Sequence, residues 1–231
     1  MLPLISKADE YYSLRNGKYL GADRAATTRL RLIEDSIFKR INDNYPESLA
    51  GAGRIIKIDQ VQIQKDMQLV RDLSMKGKEN QLYIILDLKE ALITSLMSSP
   101  GTNSGAYFEY YPAPGLGANM PVGKDGRKMP FTIILAGVHG HPDSEQRFFM
   151  TLPTMSPDRD AVLAYNRQIP IYGIDAMSNT GLPGSRGRIH RANPDGSIDN
   201  NIGWTKGTNP SGFDIARDAL QRWGKSGVPK M

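Results

Sequence analysis

One stretch, F-T-I-I-L-A-G-V-H-G-H-P from Phe131 to Pro142, limits the fold of this 231-residue chain more than any other. Its β-branched and aliphatic residues read as a strand. Alternate residues of a strand project from the same face, so His139 and His141 turn two imidazoles toward one point. Pro142 has no N–H to give to a ladder and ends the strand there. The chain has 3 histidines, and two of them sit here, which is a metal-site geometry.

Composition narrows what that site can be. The chain has no cysteine, so thiolate chemistry and disulfides are excluded and a metal must be held by His, Asp or Glu. The net charge is +5 and the pI about 9.3, yet the Lys and Arg residues are dispersed, with no dense basic run and no interleaved aromatics. That distribution describes a solvated basic surface and argues against a nucleic-acid partner. Hydrophobic residues make up 39% and mean hydropathy is −0.42, values of a soluble globular protein. No apolar run approaches the roughly 18 residues of a membrane span. The N-terminus lacks a basic region followed by a long apolar one, so no secretory signal is expected. The location implied is cytoplasmic, or reached by a signal-independent route.

Taken in order, residues 1 to about 50 read as helical. Over Asp23–Ile41 the spacing sets Leu30, Ile33, Ile37 and Ile41 on one face, and Asn44-Tyr45-Pro46 ends the run. Ile55–Gln64 alternates as a strand does, and the following residues suit a short helix with Met67, Val70 and Leu73 inward. The segment from Leu82 to Leu96 fits either one buried helix or a strand followed by another element. Ser98–Gly105 is a turn, Ala106–Pro112 a strand, and a Gly/Pro-rich loop leads to Phe131. Ser156 reads as an N-cap, with Pro157 at the first helical position and acids in the first turn. Ile169–Ala176 is a short buried strand, and a hairpin turns at Asn193–Gly196, with His190 on its surface. The tail is an amphipathic helix capped by Gly224. The fold class expected is α+β, a mixed, mostly antiparallel sheet flanked by helices. Its domains are a helical N-terminal extension over residues 1–80 and a metal-binding domain over 81–231.

A catalytic zinc site needs three protein ligands, an open position and a nearby carboxylate. His139 and His141 supply two ligands, and Asp158 and Asp160 at the start of the next helix both compete for the third. With H-G-H-P at a strand end followed by S-P-D-R-D at a helix start, the chain resembles the JAB/MPN (JAMM) metallopeptidase-like family, in its bacterial JAB-like subgroup. The resemblance covers about Leu82 to Ile202. The family pattern is a distant Glu, then H-x-H-P, then S-x-x-D. Here the position three after Ser156 is Arg159, flanked by the two acids; Asp160 is preferred because D-A-V-L-A continues the helix.

The resemblance implies a cytidine-deaminase-like fold, a Zn2+ cofactor and hydrolysis of peptide or isopeptide bonds by zinc-activated water. It implies that a Glu acts as general acid/base, for which Glu90 is preferred over Glu109, and that Ser156 hydrogen-bonds the developing oxyanion. The partner implied is a peptide or protein substrate. The alternative is a JAB-like binding or toxin-associated module without hydrolytic activity, which the S-P-D-R-D spacing motivates.

Overall fold

Strand β10, Thr132–His141, is buried at every position and forms the middle of the fold. A computed structural model of the chain describes residues 8–23, 27–44, 49, 51–74, 79–98, 110–113, 118–121, 129–141, 155–175, 187–205 and 212–226. Around β10 runs a seven-stranded sheet in the order β13-β12-β11-β10-β6-β7-β5. Its other members are β5 (Lys57–Ile58), β6 (Asn80–Asp87), β7 (Leu92–Met97), β11 (Ile171–Asp175), β12 (Arg188–Ala192) and β13 (Ile198–Trp204). The pairs β10–β11 and β5–β7 are parallel and the rest antiparallel, so the architecture is α+β with a mixed sheet.

Between Ile134 and Ala136 the β10–β6 register shifts: Ile134 faces Ile85 while Ala136 faces Ile84, leaving Leu135 as the extra residue of a bulge. Beyond the bulge, His139 pairs with Gln81 and Gly140 with Asn80.

One face of the sheet is covered by helices α2 (Gln60–Ser74) and α4 (Gly212–Lys225), which also touch each other. Gly140 shows how closely α2 lies: a Cβ there would meet Ser74 Oγ at 2.5 Å and the Val70 carbonyl oxygen at 3.1 Å. The core this face builds includes Ile63, Met67 and Val70 of α2, Leu82, Ile84 and Leu86 of β6, and Ala219, Leu220 and Trp223 of α4. These are large apolar side chains removed from water, and that burial is the main favourable contribution to folding. Helix α3 (Val162–Arg167) is reached through the π-helical turn Pro157–Ala161, with Ala161 and Ala164 buried.

The N-terminal part differs from the expected helical extension. It is a four-stranded sheet, order β2-β1-β3-β4, of β1 (Glu10–Ser13), β2 (Tyr19–Ala22), β3 (Leu30–Ile33) and β4 (Arg54–Ile55), with one helix, α1 (Asp35–Asn44). The supposed helix over Asp23–Ile41 is thus a strand followed by the start of α1. All four residues of β3 are buried, because Arg31 is neutralised by Asp9 at 2.6 Å and the strand can sit inside. Tyr11, Ile33, Phe38 and Leu49 form a small second core. Lys18 Nζ donates to the Trp223 carbonyl at 2.8 Å, and Tyr12 fills the space left by Gly224, tying this sheet to α4. Gly224 lies within α4, where that close approach requires it, and is not its cap.

Other expectations are revised by the same sheet. The strand expected over Ile55–Gln64 is cut short: α2 begins at Gln60 and runs to Ser74. Leu82–Leu96 is strand, tight turn, strand, because β6 and β7 pair antiparallel in the core. The boundary expected at residue 80 falls between α2 and β6, two elements packed in one core. Strands β8 (Tyr110–Ala113) and β9 (Ala118–Pro121) form a separate antiparallel pair, the second lying in what reads as loop.

Candidate metal centre

Strand pairing brings a polar cluster to the face opposite α2. Residues opposite one another on paired strands share a face. His139 is partnered by Gln81 and Gly173, His141 by Asp175, and Gly173 by His190. Five polar side chains from four adjacent strands, Gln81, His139, His141, Asp175 and His190, therefore stand side by side, all of them buried.

His139 and His141 meet through their Nε2 atoms at 2.9 Å, their rings inclined at 72°. Asp160 Oδ1 lies 3.6 Å from His139 Nε2. One ligand-capable atom from each of these three residues lies within 4.8 Å of the others. Burial lowers the His139 pKa to about 4, and burial together with the neighbouring His139 lowers that of His141 to about 4. Both imidazoles are neutral near pH 7 and keep a lone pair for a cation. Burial raises the Asp160 carboxyl above its ordinary value, partly offset by His141 and by the Ser156 amide.

The local chain explains why Asp160, and not Asp158, is the acid brought in. The Ala161 N–H donates to the Ser156 carbonyl, an i→i+5 bond that widens the first turn by one residue. Asp160 Oδ2 then accepts the Ser156 backbone N–H at 2.8 Å. The extra residue in S-P-D-R-D is absorbed by this π turn, and the acid four places after Ser156 reaches the histidines. Asp158 is exposed. Ser156 takes the N-cap position, but its hydroxyl makes no capping hydrogen bond.

Whether these residues fit a metal can be judged from the spacing. A tetrahedral zinc about 2.0–2.1 Å from two nitrogens sets them roughly 3.3–3.4 Å apart. The observed 2.9 Å needs an opening of a few tenths of an ångström, within the reach of small ring rotations. Two neutral imidazoles and a carboxylate are also a donor set suited to a borderline divalent ion.

Glu90 is not brought to this centre. It is exposed in the β6–β7 turn, where its N–H donates to Asp87 Oδ1, at the end of β6 paired with Thr132 rather than Gly140. Seven residues of strand at about 3.3–3.4 Å each put it roughly 23 Å or more from the histidines. Glu109 lies outside the described residues. The carboxylate at the right end of β6 is Glu79, which is buried and immediately precedes the strand. Carrying the register one residue past Asn80–Gly140 sets Glu79 opposite His141. A sequence signal existed: an acid three residues before the apolar run L-Y-I-I-L, at the start of the strand that must pair with the H-x-H strand.

His190, expected on a hairpin surface, is instead buried in β12. Its Nε2 lies 3.4 Å from Asp175 Oδ2, and its Nδ1 accepts the Asn201 backbone N–H at 3.1 Å. Asp175, the last residue of β11 and part of the strand expected over Ile169–Ala176, was also not foreseen as part of the site.

A scan of protein-family models finds no match to this chain, and neither do searches of curated proteins and solved structures.

Proposed function

We propose that His139, His141 and Asp160 hold a zinc ion in a JAB/MPN-like domain that hydrolyses peptide or isopeptide bonds. The observation that carries this reading is the convergence of two neutral, buried imidazoles and one carboxylate within 4.8 Å, from a strand end and the turn that follows it in sequence. The order of strand, H-x-H-P and serine-led helix start supports it, as does the wide turn that reconciles S-P-D-R-D with the family's shorter spacing.

When bound, such an ion supplies Lewis acidity toward water and a carbonyl oxygen. The chain's own residues would do the rest. Glu79, opposite His141, takes the place expected of Glu90: it removes a proton from the attacking water and delivers it to the leaving amine. The Ser156 hydroxyl, not used as a cap, donates toward the oxygen that gains charge. The substrate is a peptide or protein.

The experiment is metal analysis of the purified chain with peptide-cleavage assays. About one zinc per chain, lost in His139→Ala or His141→Ala, and cleavage abolished by a chelator are the expected results. A folded chain with no affinity for zinc would exclude the proposal. Zinc bound without any cleavage would leave the alternative of a non-hydrolytic binding module.

A further inference from the structure

The cluster on this face extends past the three ligand residues, and the remainder is built around Asp175. His141 directs Nε2 at His139, so its other nitrogen, Nδ1, points away from the ligand group. That edge lies over β11: a Cβ on Gly173 would stand 3.0 Å from His141 Cε1 and 3.7 Å from Nδ1. Because Gly173 has no side chain, nothing of its own separates His141 from Asp175, the next residue on the same face and the register partner of His141.

Two buried polar atoms there lack hydrogen-bond partners among the described residues: His141 Nδ1, which can carry a proton, and Asp175 Oδ1, which can accept one. An unmet buried donor or acceptor costs about 1–3 kcal/mol, and here the two are complementary.

The other oxygen of Asp175 is held from behind. At His190 the β12–β13 register jumps from Ile189–Gly203 to Arg191–Asp199, a bulge that gives β13 extra residues. Asn201 in that bulge has φ 58°, a left-handed conformation, and aims its N–H at His190 Nδ1. Asn200 Oδ1 also lies 3.2 Å from Nδ1; where Nδ1 accepts the Asn201 N–H, it is Nε2 that can carry a proton toward Asp175 Oδ2, 3.4 Å away. Bulges that re-aim a group beside a site are a known use of such irregularities.

From this we infer that Asp175 is the positioning residue of His141. Its Oδ1 accepts the His141 Nδ1–H in the zinc-loaded protein, while His190, oriented by Asn201, holds Oδ2. Metal-binding histidines commonly give their second N–H to a carboxylate, which fixes the tautomer and ring angle and raises ligand basicity. Asp175 acts through His141 and touches neither metal nor substrate. The inference rests on the zinc reading above.

Zinc affinity measured by competition with a chromophoric chelator, on the whole chain, tests it. Asp175→Asn is expected to weaken binding about 10- to 100-fold, and His190→Gln by a smaller factor in the same direction. Asp175→Asn binding zinc as tightly as the unaltered chain would overturn the inference while leaving the zinc site standing; no zinc binding by the unaltered chain would overturn both. A second readout does not depend on the variants folding. Long-range proton–nitrogen NMR of the zinc-loaded chain should show His141 protonated on Nδ1, with that proton protected from exchange. A His141 Nδ1 proton in fast exchange with water would overturn the assignment.

Discussion

Gly173 lies beneath the imidazole of His141: a methyl group on its Cα would stand 3.0 Å from the ring and would clash with the sulfur of Met155. The glycine leaves that space to the His141 ring and the Met155 side chain. Gly173→Ala should therefore cost about 1–3 kcal/mol of stability through overpacking. It should also weaken zinc binding by roughly tenfold or more, because His141 must tilt. Urea unfolding and zinc competition on the same variant measure the two effects separately.

The π turn makes a sharp distinction between two acids that look equivalent in sequence. Asp160→Ala should reduce zinc affinity strongly, by about 100-fold or more, whereas Asp158→Ala should change it by less than about threefold, as expected of an exposed side chain. Equal losses from both would show that the turn rearranges when metal binds.

The proposed general base, Glu79 in place of Glu90, is checked in the same way. Glu79→Gln should lower peptide cleavage about 10²- to 10⁴-fold with zinc content retained. Glu90→Gln, some 23 Å away along β6, should leave cleavage unchanged. The measurement is turnover at matched zinc occupancy.

Acid should destabilise the metal-free protein in a defined window. The folded-state pKa of His139 and His141 is lowered to about 4 by burial, against 6.5 for the ordinary side chain. Between these values the unfolded chain binds more protons, so stability is intact above about pH 6.5 and falls as pH drops toward about 4. Asp160, raised by burial, works in the opposite direction at the acid end. Thermal unfolding from pH 7.5 to 4 should show Tm falling in the metal-free chain. His141→Ala should flatten the slope.

The small N-terminal core depends on one buried ion pair. Asp9 faces Arg31 at 2.6 Å, and it also accepts the Arg29 N–H at 2.9 Å. Removing one partner of a buried pair leaves an uncompensated charge, so Asp9→Ala should cost about 3–5 kcal/mol. Denaturant unfolding gives the value.

That ion pair also shows why part of the fold was hidden from the sequence. R-L-R-L-I can be read with helical spacing because arginine normally marks a solvent face; nothing local announces that Arg31 is buried by a residue 22 positions earlier. By contrast, F-T-I-I-L-A-G-V-H-G-H-P was legible as a strand bearing two histidines on one face, since β-branching, period-two geometry and a terminal proline all agree locally. Asp160 was legible as a helix-start acid, but the choice between it and Asp158 turned on an i→i+5 bond that spacing alone does not reveal. Glu79, Asp175 and His190 were missed for one reason. Each joins the site through strand register, a long-range property, while its own neighbours in sequence look like an ordinary turn, strand end or hairpin.

Leu135 has a consequence that reaches beyond packing. By taking up one residue without a partner on β6, it sets the odd–even count of β10, so that Ile133 faces the helices while His139 and His141 face away from them. The histidines are thus set by arithmetic on the layer opposite α2 and α4. Within β10, exchanges of one apolar residue for another leave that count untouched. Loss or gain of a single residue would turn either the histidines or the core residues to the wrong layer. This segment should drift in evolution by substitution and almost never by change of length.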